Sequence, residues 1–598
     1  MVRVFCVAAV FGLFGATRVS GSVDNGGLDD PNASRMSTQY WRACHRGSGS
    51  LVEDINIPYD IADPPELPFP GAELQFALVA QRHGTRRSQY LWSKSPYYKG
   101  TAPSQLSVQG AYELRVSGIE VRHYLQKYKK HKLPKFGSNR SRDNVLRETC
   151  GFDLERECKA FGLEKQKCTS SSLVNSILNE FPADTIYMRA APLPRTQWSA
   201  VFFLEGFFGL PWLCGATATE LIKTPTNRNY ERRCLLREVC DADAEKILRL
   251  RGKHQETCAA VELPCIHVPF TPDDGLTVGA MYNAVAYNQG NDHFVKVEGP
   301  RDFQPEGQLK VAVGIAEEVY GAGAFDNSGG MWNAGEMWVS EAGSGDPTPM
   351  VDVLKWVEKK KRYCKESGEC DPLSVPTYKS LVSDLTEAFR LGYNQLYGSG
   401  GFAKFVASPY LLLFNSLARG VAFGRQEDMR DLRLMLGVMS DFDSVGLSDE
   451  AVLKASLQRI NLFVLSLHDF VIVSTLSALG IYNGELSPFA CRFLLELVKA
   501  PGGDAKDVAP SGKVFNVEDG LNPGGNVQYP RNGYHVRVLY GKPGKQMEAL
   551  VLPWCQNKTV CPLNDFLNFT YGLLKSKSFL DVTDVYRTKL REAAKRLV

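Results

Sequence analysis

The chain of 598 residues carries almost no net charge, +3 at pH 7. That balance removes any bulk electrostatic argument for nucleic acid or a membrane surface as partner, so anion specificity has to be local. Beyond the N-terminus no run reads as long and apolar enough to span a bilayer. The C-terminal RTKLREAAKRLV is basic and helix-prone rather than a hydrophobic anchor tail. Neither glycine cluster, GAGAFDNSGG nor YGSGG, has the GxGxxG spacing between a strand and a helix, so cofactor binding is discounted. The cysteines lack the tighter spacings of zinc ribbons and fingers, with no histidine at a supporting offset. No metal and no cofactor is expected.

What is present is an ordinary globular composition, 44% hydrophobic and 23% charged. The length exceeds that at which a single core stops growing, which predicts two or more lobes. Residues 1–22 hold Arg3, an apolar run from Val4 to Ala16 and small residues at Ser20, Gly21 and Ser22. They read as a secretory signal peptide cleaved near Gly21, the alternative being an uncleaved anchor, for which the run is short. Of 15 cysteines, Cys6 lies in this leader and leaves an even 14. Cys234/Cys240, Cys258/Cys265, Cys364/Cys370 and Cys555/Cys561 have five or six residues between them. Disulfides in an oxidising compartment fit this usage, with connectivity left open. Sequons stand at Asn32, Asn139, Asn557 and Asn568.

Three places repeat one pattern, an apolar strand that ends abruptly in basic or titratable residues and leads toward a helix. In LQFALVAQRHGTRRSQY the strand 74–81 runs into Arg82, His83, Gly84, Thr85 and Arg86. In IYMRAAPLPRT a short strand ends in Arg189, ahead of a buried helix from Trp198 to Phe208. In NLFVLSLHDFVIVSTLSALG the strand 462–467 ends in His468 and Asp469, and an apolar helix follows. Between them, LSVQGAYELRVSGIEVRHYLQKY reads as an amphipathic helix with Leu114, Gly118, Val121, Leu125 and Tyr128 on one face. YHVRVLY and EALVLPW, joined by GKPGKQ, read as a β-hairpin. Strands alternating with helices predict an α/β sheet with the hairpin at one edge.

A short basic run is most simply a solvated turn. Open α/β sheets, however, bind ligands beyond the carboxyl ends of their strands. If the three strands are neighbours, one crevice gathers arginine forks suited to phosphate oxygens, two histidines and a carboxylate.

With these motifs in view, the chain resembles the histidine acid phosphatase branch of the histidine phosphatase superfamily. The resemblance rests on Arg82-His83-Gly84-Thr85-Arg86, on LSVQG at 106–110, on RAAPLPRT at 189–196 and on His468-Asp469, in that order. It covers about 74–130, 184–210 and 455–572, and the ending PWCQNKTVCPLNDF is similar to the family's C-terminal cysteine pair. It implies a phosphoglycerate-mutase-like, Rossmann-type α/β core sheet with a large, mainly helical cap and a C-terminal β-hairpin. The implied organisation places a leader at 1–22, an N-terminal extension at 23–70 and the core at 71–90, 183–214 and 455–598. Insertions at 91–182 and 215–454 would build most of the cap. His83 would be the nucleophile and Asp469 the proton donor, while Arg82, Arg86, Arg189 and His468 would hold the phosphate. Arg195 is expected to serve packing or a salt bridge.

The pattern has departures. Arg87, Ser88 and Gln89 stand where a proline is usual, Phe470 follows the histidine–aspartate pair in place of the common threonine, and Pro192 replaces an aspartate. None removes a group that performs a chemical step. The function implied is a secreted or lumenal acid phosphatase acting on phosphomonoesters. A narrower phosphatase for inositol polyphosphates or phosphorylated sugars, and a catalytically silent phosphatase-like interaction protein, are the alternatives. Among the other histidines, His45, His123, His131 and His254 read as surface and His535 as packed. Trp554 reads as core.

Overall fold

The computed structural model describes residues 61–88, 104–128, 170–210, 220–223, 233–240, 258–268, 306–321, 328–343, 350–423, 460–501 and 533–574, apart from single positions within and between them. The leader, the sequons at Asn32 and Asn139, and His45, His131 and His254 lie outside the described residues.

In chain order the elements are β1 (Glu73–Arg82), α1 (Val108–Tyr128), α2 (Ser170–Glu180), β2 (Ile186–Ala190), α3 (Pro194–Phe208), β3 (Ile222–Lys223), β4 (Arg233–Cys240), β5 (Cys258–Pro264) and β6 (Ile266–His267). There follow α4 (Gly307–Tyr320), α5 (Ser328–Gly343), α6 (Val351–Ser367), α7 (Tyr378–Tyr397), α8 (Gly400–Phe423), β7 (Leu462–Leu467) and α9 (Asp469–Ala478). The chain closes with β8 (Arg492–Lys499), β9 (Tyr534–Gly541), β10 (Glu548–Ala549), β11 (Val560–Pro562) and α10 (Leu563–Leu574).

The nine-stranded sheet runs β10-β9-β8-β1-β7-β2-β6-β3, with β11 also on β9. β1, β7, β2, β6 and β3 are parallel, and β8, β9, β10 and β11 add antiparallel pairings. The register sets Arg82 opposite Leu467, and Ala190 opposite Ser466. The carboxyl ends of the three motif-bearing strands therefore share one sheet edge. β7 and β2 are buried along their whole length, as strands covered on both faces by helices must be. One face packs on α1, α2 and α3 through Val79, Met188, Val464 and Phe203. The other packs on α8, α9 and α10 through Phe76, Phe463, Phe414 and Phe566.

The expected hairpin is present, although its second strand pairs over only two residues, Glu548 and Ala549. β8, a short apolar run not among the strands expected from the sequence, lies between β1 and β9. The alternating βα pattern announces parallel strands, whereas β8 returns antiparallel to β1 after α9 without a helix between.

Several expectations need correction. α1 and α8 come from segments assigned to the cap, yet both pack on the sheet. α8 also contains an 18-residue window, Val406–Phe423, long and apolar enough to cross a membrane by length and composition; 78% of it is buried inside the molecule. It is a core helix whose apolarity faces Phe76 and α10. His123 is buried rather than on the surface. Its charged neighbours are themselves buried and paired: Arg115 meets Glu205 at 3.0 Å, Arg122 donates to the carbonyl of Phe207 at 2.8 Å, and Glu120 pairs with Arg492. α1 and α3 cross so closely that a Cβ on Gly118 would sit 2.1 Å from the Phe203 carbonyl oxygen, and one on Gly206 2.0 Å from that of Arg115.

A second group of helices among the described residues has its own core. Val313, Met337, Val353, Val357, Leu381 and Leu385 of α4, α5, α6 and α7 form it. The disulfide Cys364–Cys370 closes the end of α6, and the hydroxyl of Thr377 accepts from the Ser380 N–H to cap α7. α7 ties the lobes together, since Phe389, Tyr393 and Tyr397 join the core beside the sheet.

Cys234 pairs with Cys265 across 31 residues, and Cys555 pairs with Cys561. Cys491 is a buried free thiol, so the even count does not pair completely. Asn557 and Asn568 are exposed. His535 is half-buried with Phe69 edge-on at 4.9 Å. Trp554, also half-buried, stacks on Phe569 and donates to the Leu479 carbonyl.

Candidate active site

His83 follows the last residue of β1, and its N–H donates to the carbonyl of Leu467 at 2.9 Å, which extends the ladder by one bond beyond the strand. His468 is the residue before α9, and Asp469 opens that helix. The two imidazoles meet edge to face with centroids 5.4 Å apart. His83 Nδ1 lies 2.9 Å from the Gly84 carbonyl oxygen. A carbonyl only accepts, so Nδ1 carries the proton and Nε2 keeps its lone pair.

Both histidines are driven well below their ordinary pKa, first by burial and then by the positive charges of Arg195, Arg86 and Arg82. Both causes favour the neutral imidazole. His468 Nε2 is buried and has no hydrogen-bond partner among the described residues. Such a group costs free energy unless something polar meets it.

Arg82 is buried, stacks its guanidinium 4.0 Å over the Phe489 ring, donates to the Ser487 carbonyl and pairs with Asp469 at 3.0 Å. Phe470 does not displace Asp469. Its N–H donates to Asp469 Oδ1 at 2.9 Å, and its ring stacks on His468 at 5.6 Å with planes 13° apart. Arg86 is buried and pairs with Glu336 of α5 at 2.5 Å. Arg189 is buried at the same sheet edge, its Nη1 donating to the Tyr187 hydroxyl at 3.2 Å. Beside it stands His267, whose ring stacks on Tyr187.

The loop bearing His83 is locked from below. A Cβ on Gly84 would lie 2.3 Å from the Gly110 carbonyl oxygen, and one on Gly110 2.1 Å from that of Thr85. Only glycine at both positions lets the loop lie on the first turn of α1. Glu113 then accepts from the Thr85 N–H at 2.8 Å and from its hydroxyl at 2.7 Å. Burial raises the Glu113 carboxyl to about 7 against those hydrogen bonds.

Sequence reasoning left Arg195 aside, although its charge bears on both histidines more than that of any other group. It also missed Glu336, Phe489 and Glu113. Glu113 had one local signal, its place on the helix opened by LSVQG. Glu336 and Phe489 arrive from remote segments and had none.

A buried pair of histidines thus stands at the carboxyl edge of a parallel sheet, with arginines and the carboxylates of Asp469 and Glu336 around it. Lysosomal acid phosphatase of Bos taurus is 33% identical over 113 residues, 19% of this chain and 20% of that protein. The match thus spans about a fifth of the relative's length. No protein-family model matches the chain. Hafnia alvei phytase overlays at a TM-score of 0.41 with 12% identity, covering 85% of this chain and 98% of the other. Klebsiella phytase overlays at 0.36 with 13% identity over 84% and 96% of the two chains. Neither overlay is close enough to carry a residue assignment.

Proposed function

We propose that the protein is a phosphomonoesterase of the secretory pathway, secreted or lumenal, that works through a phosphohistidine and is most active at acid pH. The observation that carries this reading is His83 at the carboxyl edge of the sheet, its Nδ1–H held by the Gly84 carbonyl and its ring edge to face with that of His468.

In the first step Nε2 of His83 attacks phosphorus, a P–N bond forms and the bond to the leaving oxygen breaks. Asp469 gives its proton to that oxygen, so the product leaves as a neutral alcohol. In the second step water attacks phosphorus, the P–N bond breaks and the Asp469 carboxylate takes the proton from water. Arg82, Arg86, Arg189 and His468 hold the phosphoryl oxygens and the charge spread over them.

One observation and one chemical requirement support operation at acid pH. Burial and neighbouring guanidiniums lower the pKa of His83 and so favour its unprotonated, nucleophilic form. A proton donor such as Asp469 must also carry its proton into the step. Described disulfides such as Cys234–Cys265 support an oxidising, lumenal location.

The test is hydrolysis of phenyl phosphate across pH 4 to 8 without added metal, with His83→Ala alongside. Activity peaking at acid pH and lost with His83 is the expected result. A folded protein inert toward aryl, sugar and inositol phosphates would overturn it.

A further inference from the structure

One helix, α5, touches the His83 loop at three points. Glu336 of α5 places Oε1 2.5 Å from Arg86 Nη1, and its Oε2 accepts from the Ser88 hydroxyl at 2.8 Å. The Ser340 hydroxyl, one turn on, donates to Oε1 at 2.9 Å. At the helix end, a Cβ on Gly343 would lie 3.2 Å from the Phe489 ring and 3.4 Å from the Thr85 hydroxyl. The Glu336 side chain is only 5% exposed. A carboxylate taken this far from water needs a cation and further donors to offset the loss of hydration, and Arg86, Ser88 and Ser340 supply them. Each arginine of the RHGTR motif therefore carries a carboxylate, Arg82 that of Asp469 and Arg86 that of Glu336. Asp469 has a step in the proposed chemistry. Glu336 belongs to none of the motifs and has no step.

We propose that Glu336 is a specificity-determining residue that restricts the crevice to substrates bearing a single phosphate. The inference rests on the phosphatase reading above. A phosphoryl group docked on His83 is held by short, directed hydrogen bonds from guanidinium forks, which a neighbouring carboxylate leaves in place. Additional phosphates on the same molecule would be drawn in mainly by the longer-range positive field of the site. Glu336 subtracts from that field, and it does so at Arg86, the motif arginine that α5 contacts. Near a partly buried site the effective dielectric is about 20 rather than 80, so one carboxylate is felt by charges on neighbouring ring positions.

The experiment compares kcat/KM for phenyl phosphate and for inositol hexakisphosphate in wild type, Glu336→Gln and Glu336→Asp, with melting curves to confirm folding. The expected result is a rise of about tenfold in the ratio of hexakisphosphate to phenyl phosphate for Glu336→Gln, equivalent to about 1.4 kcal/mol, and a ratio near wild type for Glu336→Asp. If both substrates change by the same factor, Glu336 only positions Arg86 and the proposal is overturned. Calorimetric affinities for orthophosphate and tripolyphosphate give the same ratio without turnover. A wild type that hydrolyses neither ester therefore sinks the phosphatase reading, while an unchanged binding ratio sinks the role of Glu336. Glu336→Ala is the second neutral variant should the amide fail to fold.

Discussion

His83 and His468 stand at the ends of adjacent parallel strands with their rings 5.4 Å apart and their planes at 73°. The pKa of each is lowered by burial and by arginine charge. This relationship has a thermodynamic consequence. The folded pKa of each lies below the ordinary 6.5, so the unfolded chain takes up protons that the folded chain does not as pH falls through about 6.5. Stability from the pair is present above that pH and is lost on acidification. Replacing His468 with Gln is expected to flatten the fall in melting temperature between about pH 6.5 and 5, measured as the difference from wild type.

Glu113 acts with the opposite sign. Its carboxyl is raised from 4.5 to about 7, so between these values the folded chain holds a proton that the unfolded chain has lost. Its contribution is greatest below 4.5 and declines as pH rises toward 7. At about 1.4 kcal/mol per unit the full swing is on the order of 3 kcal/mol. Glu113→Gln is expected to remove this contribution, so that its denaturant midpoint, taken as the difference from wild type, rises with pH over that interval.

Asp469→Asn keeps the size of the side chain and removes the proton. A loss of roughly 10²–10⁴ in kcat/KM, which reports the phosphorylation step alone, is expected for an alkyl phosphate, as for general acids elsewhere. A nitrophenyl ester, whose leaving group needs little protonation, should lose much less. Equal losses for both esters would point to a structural role through the Arg82 ion pair.

Gly84→Ala places a methyl group 2.3 Å from the Gly110 carbonyl oxygen. The backbone must shift, and over-packing of this kind costs about 1–3 kcal/mol. Because the shift carries His83 with it, kcat is expected to fall further than the lost stability alone explains. Thermal melts and steady-state kinetics on the same preparation measure both effects.

The parts of this architecture visible in the sequence are those where a local pattern ends abruptly. β1, β7 and β2 are apolar runs that stop at Arg82-His83, His468-Asp469 and Arg189, and a buried strand that runs straight into charge marks the rim of a site. The burial of α1 was not legible. Glu113, Arg115, Glu120, Arg122 and His123 look like a solvated face, and only partners such as Glu205 and Arg492, distant in sequence, let them be buried. β8 was hidden for a different reason, since RFLLELVK is a short apolar run that periodicity alone does not distinguish from a buried helix segment. Glu336 reaches Arg86 across 250 residues of chain, a pairing that no periodicity or spacing encodes.

The most direct measurement of the central claim is to trap the intermediate. The protein is mixed with a ³²P-labelled phosphomonoester at pH 5, quenched with alkali and digested. The expected result is label that survives alkali but is lost in acid, carried on the peptide holding His83 and absent from His83→Ala. Steady turnover with no labelled peptide, or label retained in His83→Ala, would contradict a phosphohistidine at this position.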